Sequence, residues 1–130
     1  MFLTALFILS LTFIYAQSIL TIKIIDLRND KGVILLELFD ANNKIVKKVK
    51  ENITEGKCLI LIDSLTNAKY AIRFIHDENS NGEMDTNWLG LPKEGYGFSN
   101  NAYGFFGPKD FEEWLFYLNG NMEIVFKTEY

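Results

Sequence analysis

Cysteine, histidine and proline are nearly missing from this 130-residue chain, which has one Cys, one His and two Pro. A single Cys excludes an internal disulfide framework and any cysteine-based zinc or iron–sulfur site. A single His excludes a multi-histidine metal centre and leaves a nucleophilic triad short of partners. With so little Pro and only nine Gly, collagen-like and low-complexity classes are excluded too. Positive charge is also in short supply: 13 Lys and Arg stand against 17 Asp and Glu, a net charge of −4. Nucleic acid is therefore not an expected partner, because it needs a basic face. What the chain does have is apolar: 48% of it is hydrophobic and 15% aromatic. That composition folds, and its length suits one domain.

Residues 1–16 carry no charge and are almost wholly apolar. The run falls short of the roughly 20 residues that span a bilayer. It ends in Ile14, Tyr15 and Ala16, and a small residue closing a short apolar run is what signal peptidase reads. The run lacks the usual Lys or Arg near Met1; a buried strand or an uncleaved anchor is the alternative. No Cys stands directly after it, so a lipoprotein anchor is not expected. The expectation is a signal peptide over 1–16 and one domain over 17–130. That places the protein in the periplasm or outside the cell, as a monomer with no membrane span once the signal is removed.

The rest reads as short strands. In 19–27, Leu20, Ile22 and Ile24 alternate with Thr21 and Lys23. A turn rich in Asn, Asp and Gly follows at 28–32. Segment 33–39 is apolar on both faces, as a central strand is, whereas 44–50 is mostly Lys, as on an edge. Segment 57–63 is another strand, and its Cys58 sits among apolar neighbours as an inert core thiol. In 69–76, Tyr70, Ile72, Phe74 and His76 share one face, and Ala71, Arg73 and Ile75 the other. Residues 111–118 fit either a helix or a strand; the aromatics favour a strand after a short turn at 110–112. Segment 122–128 closes the chain. About seven strands with turns between them predict an all-β, antiparallel β-sandwich.

Residues 77–110 hold little strand signal, and a connection that long is usually functional or disordered. Disorder is disfavoured by Trp88, Leu89, Leu91, Tyr96, Phe98, Tyr103, Phe105 and Phe106. Gly90, Gly95, Gly97, Gly104 and Gly107 permit tight turns. The expectation is an ordered, aromatic flap over one end of the sandwich. Trp88, Tyr96, Asn100, Asn101 and Tyr103, beside Ser99 and Phe98, form a candidate site for a sugar or a peptide. The alternative is a flap that only closes the core.

The flap opens with Asp77, Asn79, Asn81, Gly82, Glu83 and Asp85. Oxygen-bearing side chains at positions one, three, five and nine, with Gly at six, begin a calcium loop. A hard cation takes six to eight oxygens, and the Gly allows the reversal after the third ligand. The carbonyl of Glu83 would supply the seventh position. Position twelve is Trp88 rather than Glu, and a strand precedes the loop, so this is no helix–loop–helix hand. With only Asp77 and Asp85 charged, affinity is expected near 10⁻⁴–10⁻³ M, as in extracellular modules. An ordinary hairpin turn, for which Asn81-Gly82 is a strong signal, is the alternative. His76 reads as a half-buried histidine bonded to a loop carbonyl rather than as a catalyst.

Several stretches resemble one family. They are Leu27, Arg28, Asn29, Asp30, Lys31 and Gly32; Leu38, Phe39 and Asp40; Phe74, Ile75, His76, Asp77, Glu78 and Asn79; Leu89, Gly90, Leu91, Pro92, Lys93 and Glu94; Tyr96, Gly97, Phe98, Ser99, Asn100, Asn101 and Ala102; and Phe106, Gly107 and Pro108. They are similar to those of small secreted bacterial proteins called domain of unknown function 2141. The resemblance spans nearly the whole chain after the leader. It implies an export signal and a sandwich of the prealbumin-like or immunoglobulin-like kind, and it implies no activity.

The resulting expectation is an exported, non-enzymatic binding module of the bacterial envelope, with calcium in the 77–85 loop and a glycan or peptide as partner. An enzyme or enzyme accessory with a site under the 86–110 loop, around His76, Asp77 and Asn100, is the competing reading. A purely structural envelope protein is the third.

Overall fold

The computed structural model describes residues 16–130, so all of the expected signal peptide but Ala16 lies outside the described residues. The chain is all-β. The longer strands are β1 (Gln17–Ile25), β2 (Val33–Asp40), β3 (Ile45–Asn52), β4 (Cys58–Thr66) and β5 (Ala68–Asp77). Shorter ones follow: β6 (Gly95–Phe98), β7 (Tyr103–Gly104), β8 (Gly107–Pro108), β9 (Phe116–Leu118) and β10 (Met122–Lys127). One sheet has the order β10-β1-β4; the larger has β3-β2-β5-β6, with β9 also beside β5.

Alternation decides which face is buried. Leu20, Ile22 and Ile24 of β1 and Ile60 and Ile62 of β4 meet Ile34, Leu36 and Leu38 of β2 and Tyr70, Ile72 and Phe74 of β5. Together they form one core between the sheets. Lysine-rich β3 is the edge of its sheet and apolar β2 lies inside it, as expected. The ambiguous 111–118 segment forms a 3₁₀ turn, Phe111–Trp114, and then strand β9. Cys58 is buried, and burial followed by the Glu51 charge pushes its thiol up to about 11, so it is inert at neutral pH.

One pairing departs from an antiparallel pattern: β1 and β10 run parallel, Leu20 opposite Met122 and Ile24 opposite Phe126. The cause is the crossing after β9. Asn67 accepts the N–H of Gly120 at 3.0 Å and the Ser18 hydroxyl at 2.8 Å, and Asn121 accepts the N–H of Ile19 at 2.9 Å. This knot of amides starts β10 at the same end of the molecule where β1 starts.

The flap also sits elsewhere than expected. It lies across the outer face of the larger sheet rather than over an end of the sandwich. Phe39 and Ala71 on that face are buried with Ala102 and Trp114, and Phe98, Phe111 and Leu115 pack against them. The odd-numbered face of β5 thus has a second, smaller apolar cluster.

Candidate functional site

Asp77, the last residue of β5, is 1% exposed. Its two carboxylate oxygens accept the backbone N–H groups of Asn81 at 3.1 Å and Gly82 at 2.8 Å. Asn79 Oδ1 accepts the N–H of Asn81, and Asn81 Oδ1 accepts that of Glu83 at 3.0 Å. Each polar side chain thereby folds the backbone two to five residues ahead, which is how Asx side chains shape tight loops. The amides of Asn79 and Asn81 both donate to the Asp85 carboxylate, the latter at 2.8 Å. Asn79, Asn81 and Asp85 thus converge, while Glu83 borders a neighbouring groove.

The donor set can be tested against a cation. Among the described residues no three His, Cys, Asp or Glu side chains gather as a metal-holding group. The loop has instead two carboxylates, two amide oxygens and the Glu83 carbonyl, hard oxygens of the kind calcium takes and a transition metal does not. The two Asn oxygens accept backbone N–H groups, and it is their amide nitrogens that face Asp85. Gly82, at φ 83°, makes the reversal that the spacing requires.

Behind this loop lies a carboxylate that the spacing did not reveal. Glu94 is 4% exposed and accepts the N–H of Glu78 at 3.0 Å and of Asp85 at 3.1 Å, closing both ends of the loop. Its buried acid falls nine residues past Asp85, beyond any local motif. Lys93 donates its N–H to the Asp85 carbonyl at 2.8 Å, and Thr86 bridges Pro92. Between them Asn87 Oδ1 accepts the N–H groups of Leu89 and Leu91. A compact 86–92 turn therefore hangs from the loop.

That turn is one wall of a groove of about 1030 Å³ over the larger sheet. The β7–β8 hairpin is the other wall, with Phe105 and Phe106 at its tip, 94% and 97% exposed. Tyr96 and Tyr103 line the groove, their ring centres 5.8 Å apart. The Tyr103 hydroxyl is buried without a well-formed hydrogen bond. Burial pushes its pKa up to about 12 against the opposing influence of the Phe98 backbone.

Of the five candidate ligand-binding residues, the structure brings Tyr96 and Tyr103 together and leaves the other three apart. Trp88 is 91% exposed at the turn's tip. Asn100 sits at φ 60° and donates its amide to the carbonyls of Glu113 at 3.1 Å and Leu115 at 2.7 Å, tying the flap to the 3₁₀ turn. Asn101, at φ 49°, is exposed.

His76 is buried fully rather than by half. Its Nε2 lies 2.8 Å from the Lys31 carbonyl, which can only accept, so that nitrogen bears a hydrogen. Its Nδ1 pairs with the Tyr130 hydroxyl at 2.8 Å. Arg28 donates its backbone N–H to the same hydroxyl, and its guanidinium lies over the Tyr130 ring and binds Glu78. The imidazole thus anchors the β1–β2 turn and the chain's end.

No curated protein and no solved structure shows significant similarity to the chain. A family model does match, over residues 22–125. With the sandwich and its loop-bearing sheet in place, the chain belongs to the family described as "Uncharacterized protein conserved in bacteria (DUF2141)".

Proposed function

We propose that the protein is an exported binding module whose 77–85 loop takes a calcium ion and so fixes one wall of a ligand groove. The observation that carries this reading is the placement of Asp85. Its side chain meets Asn79 and Asn81 at the centre of the oxygen-rich loop, and its backbone holds the 86–92 turn. Ordering that turn costs conformational entropy, and a bound cation offsets it. Export is supported by the uncharged, apolar 1–16 run ending at Ala16. A non-catalytic role is supported by His76, which is fully buried with both ring nitrogens paired, and by Asn100, whose amide is committed to two backbone carbonyls. Among the described residues no helix is long and apolar enough to cross a membrane.

Calcium titration followed by thermal unfolding tests the reading. At 10–100 times Kd a bound ion adds about 1.4–2.7 kcal/mol, a rise of several degrees in Tm. Asp85→Ala is expected to keep the fold and abolish the rise, and Asp77→Ala with Asp85→Ala to abolish it with a lower starting Tm. With the expected Kd of about 10⁻⁴–10⁻³ M the titration runs to about 100 mM calcium, and a Tm unchanged there, against a magnesium control, would overturn the metal reading.

A further inference from the structure

We propose that the groove binds a free long-chain carboxylate, its head at Lys50 and its hydrocarbon chain over Leu35, Ile75 and Tyr96. The proposal deepens the binding-module reading by naming its ligand, and it holds with or without the cation.

Strand register lays out the floor. Lys50 pairs with Leu35, Leu35 with Ile75, and Ile75 with Tyr96, so these four form one row across four strands. Three strand spacings of about 4.8 Å make the row about 14 Å long. It is charged at the β3 edge and apolar from there on. The next row is Lys48, Glu37, Arg73 and Phe98. There Glu37 receives Arg73 at 2.6 Å and Lys48 at 3.5 Å. Its one negative charge is thus shared by two cations, and among the described residues Lys50 has no carboxylate within 4.0 Å. Glu83 also lines the groove, so three cations (Lys48, Lys50 and Arg73) stand against two carboxylates (Glu37 and Glu83). A chain of net charge −4 thus carries a local surplus of one positive charge beside an apolar track.

The walls favour hydrocarbon over sugar or peptide. Leu89, Leu91, Phe105 and Phe106 are each more than half exposed and their side chains offer no hydrogen bonds, so a glycan hydroxyl turned onto them would lose water without gaining a partner. Exposed apolar groups gathered around one concavity mark a binding surface. The floor strands β2 and β5 are hydrogen-bonded on both sides, so they have no backbone groups left for a peptide laid over them. A methylene chain asks for none. A volume of about 1030 Å³ lies at the upper end of the range for single small-molecule ligands.

Displacement of the fluorescent fatty acid cis-parinarate tests this. The competitors are palmitate, kept below the solubility of its calcium soap, and neutral hexadecanol, each in calcium and in EGTA. Flotation of the protein with phosphatidylglycerol vesicles is measured separately, because bilayers take up the probe themselves. Palmitate is expected to displace the probe, hexadecanol to be at least about tenfold weaker, and the protein not to float with the vesicles. Lys50→Glu is expected to weaken palmitate about tenfold or more with Tm unchanged. Leu91→Asp, an exposed wall position, is expected to abolish displacement with the fold intact. No displacement by palmitate, equal potency of hexadecanol, flotation of the protein with the vesicles, or an unaffected Lys50→Glu would each overturn the proposal. Calcium stabilisation without palmitate binding overturns this proposal alone. Palmitate binding without any response to calcium supports it and overturns the metal reading alone.

Discussion

Gly32 lies so close to Asp77 that a β-carbon on Gly32 would overlap the Asp77 carbonyl oxygen. The turn between β1 and β2 is therefore pressed onto the residue that opens the 77–85 loop. His76 reinforces the same junction through the Lys31 carbonyl. Two segments 45 residues apart in sequence meet as one rigid corner, and the loop's shape depends on both.

Gly32→Ala is accordingly expected to be among the most damaging single substitutions. The residue has φ 67°, which disfavours any side chain, and the overlap is with backbone that has no other place to go. A loss of about 3 kcal/mol or more is expected from strain and displacement together. Urea unfolding measures it. Gly82→Ala is the control: its φ is also positive, at 83°, but open space surrounds it, so about 1 kcal/mol is expected. Equal effects at the two glycines would show that close packing at Gly32 is unimportant.

Glu94 offers a second test of the loop's support. Its carboxylate joins the N–H groups of Glu78 and Asp85, and Glu94→Ala leaves both without an acceptor in a partly buried place. About 2 kcal/mol or more should be lost. Glu94→Gln keeps one acceptor oxygen and should recover part of it. Hydrogen exchange at the amides of Glu78 and Asp85 gives the local readout, with faster exchange expected in Glu94→Ala. Unchanged protection at both amides would contradict the role assigned to Glu94.

Much of the sandwich was legible in the sequence because its determinants are local. Period-two alternation placed Tyr70, Ile72 and Phe74 on the core face, and the lysines of β3 marked an edge. The loop from Asp77 to Asp85 was readable for the same reason: its side chains fold their own backbone. What escaped depends on register and long-range closure. The parallel β1–β10 pair is set by amides of Asn67 and Asn121, which lie outside both strands' hydrophobic patterns. The row from Lys50 to Tyr96 becomes visible only once four strands are aligned. Some flap glycines had a reason other than turning. Gly97 has ordinary backbone angles, but its missing side chain makes room for the Phe74 ring.

Acid sensitivity is expected at Glu78. Burial pushes its pKa up, but hydrogen bonds from Asn29 and Arg28, with the charges of Arg28 and His76, outweigh burial and hold it below the ordinary 4.5. A carboxylate depressed in the folded state adds stability that is complete above the unfolded value. That stability is lost as pH falls from near 4.5 through the lower folded value. Arg28→Met removes the 2.6 Å hydrogen bond and the charge. The stability gap between wild type and Arg28→Met should therefore be constant at pH 6 and narrow below pH 4.5. Urea unfolding across that range checks it. A gap that widens on acidification would reverse the sign assigned to this pair.

Asn100 separates a structural role from a ligand role. It combines a left-handed backbone, φ 60°, with an amide that joins two carbonyls beyond the smaller apolar cluster. Asn100→Gly relieves the backbone but removes the amide, whereas Asn100→Ala removes the amide and adds the conformational cost. Ala is expected to lose about 1 kcal/mol more than Gly, since a side chain without local hydrogen bonds disfavours that backbone region. Both variants loosen the anchor between the flap and the Phe111–Trp114 turn, so the Trp114 environment should change in near-ultraviolet dichroism. A stable Asn100→Ala with unaltered dichroism would mean that the flap is held by Phe98 and Trp114 alone, and the amide would then be free to meet a ligand.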